Sequence, residues 1–345
     1  MPRQSRIDAP GALHHIMVRG IDRDRIFLDD RDRDDFLARL SGLVDETRTK
    51  CYAWALMTNH AHLLLRTGTV AIASIMRRLL TGYAIRFNRR HHRCGHLFQN
   101  RYKSILCEED PYLKQLVAYI HLNPVRAGWV ADISALKTYP FTGYSALMGT
   151  KQRHWQDTEY VLALFGRTVS ESRKKLEKHL SGWSAKGRCA DLSGGGLIRS
   201  AGGWRAVKDA YRDGIKVVGD ERMLGSSDFV ETTLERSQEA LDRRTMLRSA
   251  GVDLSVLIAA VCRHYGIDET ELGSRTRRTE IARARALIGY IATQELLVPG
   301  SELARRFNID RSAVSRAVRR VANDPELIEA AKMVLGILHP ALNQQ

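Results

Sequence analysis

Cysteine is sparse in this chain of 345 residues. The five cysteines (Cys51, Cys94, Cys107, Cys189, Cys262) lie far apart, are odd in number and form no C-x-x-C pair. That argues against a disulfide framework or a thiolate zinc cluster and predicts a reducing cytoplasm. No apolar run reaches transmembrane length and no signal-peptide pattern is present, so no membrane partner is expected. The Gly-rich stretch Ser193–Trp204 lacks the Gly-x-x-x-x-Gly-Lys spacing of a phosphate loop and reads as flexible loop. No fixed-period repeat is visible. Acidic residues are in deficit too: 39 Asp+Glu face 54 Lys+Arg, for a net charge of +15. An excess that large implies an anionic polymer as partner, and nucleic acid fits better than a membrane surface.

What is present divides into three stretches: 1–148, a connecting region of helices and loops over 149–250, and a strongly helical region over 251–342. In the first, strands are predicted over 14–20, 51–57 and 96–107. Helices are predicted over 29–50, 70–92 and 110–130, the last closed by Asn123-Pro124. The hairpin-like pair spanning Cys51–Thr67 favours an antiparallel sheet flanked by helices. The predicted fold class is therefore α+β, followed by an all-α C-terminal region.

Within "ALMTNHAHLLLRT", His60 and His62 are two apart. On a strand they face one side, with Ala61 opposite, and two neutral imidazoles suit a divalent metal. Taken alone, an H-x-H pair on a strand is more often structural or incidental than a ligand pair. Four residues separate Tyr119 from Asn123 in "LKQLVAYIHLNPVRAG", which places a phenol and an amide on one helix face. Facing the histidines, they would form a nucleophile beside a third metal ligand. The structural alternative is that Tyr119 packs in the core while Asn123 caps the helix before Pro124. Chemistry alone leaves Tyr83, Tyr102 and Tyr112 open as nucleophiles.

Five motifs occur in order: "PGALHHIMVRG", "IFLDDRDRDDFL", "ALMTNHAHLLL", "FNRRHHRCGHLFQNRYKSILCEEDPYL" and "YIHLNPVRAGWV". On them the first ~145 residues resemble the single-tyrosine HUH transposases, and within these the REP-associated tyrosine transposases. The resemblance implies that His60 and His62 are metal ligands, Asn123 the third ligand and Tyr119 the nucleophile. It further implies Mg²⁺ or Mn²⁺ as the ion, a 5′-phosphotyrosine intermediate, and single-stranded DNA around REP-type hairpins as target. The residue between the two histidines is usually a larger hydrophobe; here it is Ala61. An amide and two imidazoles can hold a cation that offsets phosphate charge, which a phenol of pKa ~10 needs in order to attack a phosphodiester. One tyrosine per chain raises a homodimer as one way to join two ends.

The stretch Ile85–Lys103 carries Arg86, Arg89, Arg90, Arg93, Arg101 and Lys103 with no acidic residue, and interleaves Phe87, Phe98 and Tyr102. It reads as a nucleic-acid groove, with arginines on phosphates and aromatics available for base stacking. The cluster His91, His92, Cys94, His96 fits no standard zinc spacing. Farther on, "GSELARRFNIDRSAVSRAVRRV" has helix-turn-helix form and is similar to the C-terminal DNA-binding domain of the replication initiator DnaA. There Asn308 stands at the turn, and Arg311, Ser312, Ser315, Arg316 and Arg319 face outward toward duplex DNA. Two other classes of function compete with a nucleoid-associated transposase. One is a non-catalytic DNA-binding regulator with a relic HUH domain; the other is a metal-dependent nuclease using an activated water.

Overall fold

The computed structural model describes residues 11–68, 70–99, 101–185, 220, 222–274, 278–296, 298–322 and 324–339. The Gly-rich stretch 193–204 and Cys189 lie outside them. The chain divides into two units, 1–232 and 233–345.

The first unit is built on a five-stranded sheet: β1 (Leu13–Arg19), β2 (Lys50–Leu56), β3 (His60–Arg66), β4 (Lys103–Cys107) and β5 (Met223–Leu224). Their order is β2-β3-β1-β4-β5, antiparallel except for β5, which pairs in parallel with β4. Its helices are α1 (Asp30–Thr47), α2 (Ile72–Arg90), α3 (Glu109–His121), α4 (Asn123–Arg126), α5 (Ile133–Leu136), α6 (Tyr144–Leu147), α7 (Thr158–Ala163) and α8 (Val169–Ala185). With the helical second unit, the fold class is α+β.

Alternation along the strands sorts side chains onto two faces. Ala61, Leu63 and Leu65 of β3 join Ile16 and Val18 of β1 beneath α1 and α2, with Phe36, Leu40, Leu79 and Tyr83. Leu64 goes the other way, into a second core with Leu116, Val117 and Ile120 of α3 and Leu176 and Leu180 of α8. His60 and His62 share parity with Leu64, so they lie on the α3 face. The start of α3 is tied to the end of β3 by an ion pair between Arg66 and Glu109, and the Tyr160 hydroxyl donates to Glu109 at 2.6 Å.

Two predicted elements end differently. The run 96–107 is a strand only from Lys103; before it the chain turns through positive φ at His92 (50°) and Gly95 (89°). There Asn88 Nδ2 holds the Gly95 carbonyl at 2.8 Å, leaving only a bridge from Phe98 to Gly20. The predicted helix over 110–130 divides in two: α3 closes at His121, just before Asn123-Pro124, with Leu122 as its C-cap. Leu122 keeps right-handed dihedrals and its N–H reaches Ala118 O, so the short α4 follows directly and ends at Arg126. Pro124 has no N–H to offer Ile120 O, and the Asn123 side chain supplies one instead, at 3.1 Å.

The region 149–250 does not stand apart as a connector. Val161, Leu162, Leu176 and Leu180 complete the α3-side core, and β5 extends the sheet. Its last part, in α9 (Ser227–Ser249), buries Leu247, while Arg243 pairs with Glu295 at 3.3 Å in the second unit. Apolar surface on both parts is what draws them onto neighbouring cores.

The second unit continues with α10 (Leu254–Tyr265), α11 (Thr279–Gln294), α12 (Gly300–Arg306), α13 (Arg311–Ala322) and α14 (Pro325–Leu338) around Leu257, Val261, Leu287, Ile291, Leu303, Phe307, Val314, Val321 and Val334. Asn308, with φ of 50°, turns the chain between α12 and α13. Among the described residues no single helix is long and apolar enough to cross a membrane.

Candidate active site

β3 and β1 pair so that Arg19 stands opposite His60 and Met17 opposite His62. The His60 and His62 rings sit 5.2 Å apart, centroid to centroid. His60 Nδ1 lies 2.7 Å from Asn59 Oδ1. An amide oxygen only accepts, so the proton sits on Nδ1 and Nε2 keeps its lone pair. His62 Nδ1 is engaged by His15 Nε2 at 3.1 Å. Burial lowers the His60 pKa to about 4, helped by the Arg19 charge. Burial also puts His62 well below its ordinary value, with the neighbouring His15, His60 and Arg19 adding to it. Both imidazoles are therefore neutral at pH 7.

Tyr119, half-buried on α3, reaches this pair from across the gap between helix and sheet. Its ring centroid is 5.9 Å from that of His62 and 5.8 Å from that of His15. Asn123 turns its Nδ2 onto the carbonyls of Tyr119 (2.9 Å) and Ile120 (3.1 Å), which leaves Oδ1 as its acceptor atom. The alternative tyrosines stand elsewhere. Tyr83 is buried and donates to Ile26 O, Tyr102 is buried, and the half-buried Tyr112 has its pKa raised by burial.

A divalent cation asks for deprotonated donors. Two neutral imidazoles and an amide oxygen meet that requirement, so the residues present fit the ion. Among the described residues no group of three or more His, Cys, Asp or Glu could hold one. The set is thus short of protein ligands without Asn123.

The basic stretch is only partly a free surface. Arg90 is paired with Asp29 and the buried Asp32, which raises its pKa. Arg86 Nε meets Asp35 at 2.9 Å. The stretch has no acid of its own, but α1 brings three carboxylates to it. Arg89, Arg101 and Lys103 are exposed, and the Arg93 guanidinium lies 5.9 Å from the Phe87 ring centroid. Phe87 and Tyr102 belong to the core, so they are not available for base stacking. His91 accompanies Asp32 at 3.0 Å. On α13, Ser312, Ser315 and Arg316 are exposed, and Arg319 Nε donates to Ser315 O at 3.2 Å. The Arg311 side chain lies outside the described residues.

Two residues of the site are not among the sequence candidates. His15 shares strand parity with Met17, the partner of His62, which a strand reading of "HHIMVRG" could have revealed. Arg126 follows Tyr119 by seven residues, two helical turns, and its guanidinium lies 5.4 Å from the Tyr119 ring centroid. The predicted closure at Asn123-Pro124 hid it.

Residues 10–123 match the family model of IS200-like transposases. The chain also has a likeness to the REP-associated tyrosine transposase bound to a REP hairpin, at 19% identity over 42% of this chain and 84% of that one, with a TM-score of 0.35. A search of curated proteins finds no match. Residues 10–123 are thus similar to transposase domains of the IS200-like kind, and residues 254–321 of the second unit match the helix-turn-helix of bacterial DnaA protein.

Proposed function

We propose that this chain is a metal-dependent single-stranded DNA endonuclease and strand transferase that works through a 5′-phosphotyrosine on Tyr119. The observation that carries this reading is the Tyr119 ring standing 5.9 Å from that of His62, whose burial keeps it neutral. Without that approach the histidine pair would be core and the tyrosine filler.

His60, His62 and Asn123 would hold Mg²⁺ or Mn²⁺. When bound, the ion supplies positive charge against a non-bridging phosphate oxygen. The chain's own residues do the rest. The Tyr119 oxygen bonds to phosphorus as the bond to the 3′-oxygen breaks. The phenolic proton passes to solvent, and the leaving 3′-oxygen takes a proton from solvent to become a hydroxyl. The phosphotyrosine retains the phosphodiester, so attack by a second 3′-hydroxyl reverses the step and joins strands without ATP. His15 orients His62 through its ring nitrogen.

The motif order in the first 145 residues supports REP-type hairpins as substrate. Arg89, Arg101 and Lys103 would then lie on DNA phosphates, and Ser312, Ser315, Arg316 and Arg319 on duplex DNA. Such an enzyme would act in the cytoplasm, on the nucleoid. With one nucleophilic tyrosine per chain, joining two ends takes either a dimer or two successive steps.

The test incubates labelled hairpin DNA with the full chain and Mn²⁺, then runs a denaturing gel. A protease-sensitive covalent shift that is lost in Tyr119→Phe is expected. Free nicked ends without an adduct would favour an activated water. Binding without cleavage would leave a regulator.

A further inference from the structure

Arg126 has no part in the reading above, yet its placement is specific. Leu122, the cap shared by α3 and α4, keeps right-handed helical dihedrals, so Tyr119, Asn123 and Arg126 follow one another at i, i+4 and i+7. The guanidinium lies 5.4 Å from the Tyr119 ring centroid, within cation–π range. Its single hydrogen bond is a weak one, from Nη2 to the Trp183 carbonyl at 3.4 Å. Its Nε and Nη1 are buried with no hydrogen-bond partner, and no carboxylate pairs with it among the described residues. A half-buried cation with two buried, idle donors is costly to keep. An arginine serving the fold alone would be paired, as Arg90 is with Asp29 and Asp32.

We propose that Arg126 is a working residue of the tyrosine site. It holds the Tyr119 ring through the cation–π contact, and its two idle N–H groups take a non-bridging oxygen of the phosphodiester presented to Tyr119. A guanidinium fork matches phosphate oxygens in geometry and charge. The long bond to Trp183 is the one hold to be released when the fork turns to DNA. The substrate part of this inference rests on Tyr119 being the nucleophile; the ring-holding part does not.

Two readouts separate these parts, both on the full chain. In protein labelled with 3-fluorotyrosine, Tyr119→Phe identifies the Tyr119 ¹⁹F resonance. Arg126→Ala should shift or broaden that resonance; an unchanged resonance overturns the ring contact. In single-turnover adduct formation on hairpin DNA with Mn²⁺, Arg126→Ala should slow the step by on the order of 10²–10³-fold, with hairpin affinity held within about threefold. Arg126→Lys should recover part of the rate, and guanidinium at millimolar concentration should restore part of it to Arg126→Ala alone. A wild-type rate in Arg126→Ala overturns the phosphate role. A lost rate that neither lysine nor guanidinium restores overturns it too, since that pattern marks a structural residue. Adduct formation by Tyr119→Phe would sink the nucleophile assignment instead, and the ¹⁹F resonance would then decide Arg126 by itself.

Discussion

His121 follows Tyr119 by two residues but points into the core, fully buried, with neither ring nitrogen hydrogen-bonded. Burial lowers its pKa to about 3 from an ordinary 6.5. Replacing it by leucine, of similar volume, should stabilise the first unit. An unsatisfied buried polar group costs about 1–3 kcal/mol, and leucine adds a few tenths in helix propensity. A gain of ~1–3 kcal/mol is expected at pH 7.5. The gap should then widen with acid. Between pH 6.5 and about 3 the unfolded chain binds the proton that folded His121 refuses. The stability tied to neutral His121 is therefore present above pH 6.5 and is lost as pH falls through that window, at about 1.4 kcal/mol per pH unit. By pH 5 the wild type should lag His121→Leu by a further ~2 kcal/mol. All five tryptophans lie at or before residue 204, so tryptophan fluorescence in urea follows the first unit without interference from the second. A gap that stays constant from pH 7.5 to 5 would falsify the burial of an unpartnered imidazole at this position.

Other perturbations test the frame around the site. An added Cβ at Gly20 would come within 2.1 Å of the Asp24 carbonyl oxygen, beside the Gly20–Asn59 backbone bond that anchors the turn leading into His60. Gly20→Ala should cost more than ~2 kcal/mol in urea unfolding; a change under half of that would show that the turn yields. Arg90→Ala removes the guanidinium paired with Asp29 and the buried Asp32 and should lower the melting temperature, whereas Arg89→Ala should leave stability within ~0.5 kcal/mol and weaken hairpin binding in a gel-shift titration. Equal melting temperatures for the two variants would contradict that division. Arg316→Ala should weaken duplex binding and reduce the slope of log affinity against log salt by about one, as followed by fluorescence anisotropy; an unchanged slope would remove Arg316 from the phosphate contacts.

Whatever depends on local periodicity and on chemistry carried by neighbours in the chain is legible before folding. Alternation in "HAHLLL" put His60 and His62 on one face of a strand, and the apolar spacing of Phe36, Leu37, Leu40, Leu43 and Val44 marked α1. The four-residue interval between Tyr119 and Asn123 set a phenol and an amide on one side of a helix. Tertiary structure decided what approaches from elsewhere. Only strand pairing brings His15 onto His62, and only the packing of α3 on the sheet brings Tyr119 within ring distance of both. Asp29 caps, and Asp32 and Asp35 belong to, a helix about fifty to sixty residues before the arginines they engage, so Ile85–Lys103 reads as uniformly free in the chain and is partly neutralised in the fold. The end of α3 shows the same division. Asn123-Pro124 is a local stop signal and α3 does end at His121, but that a further helical turn follows and carries Arg126 to the tyrosine depends on the fold.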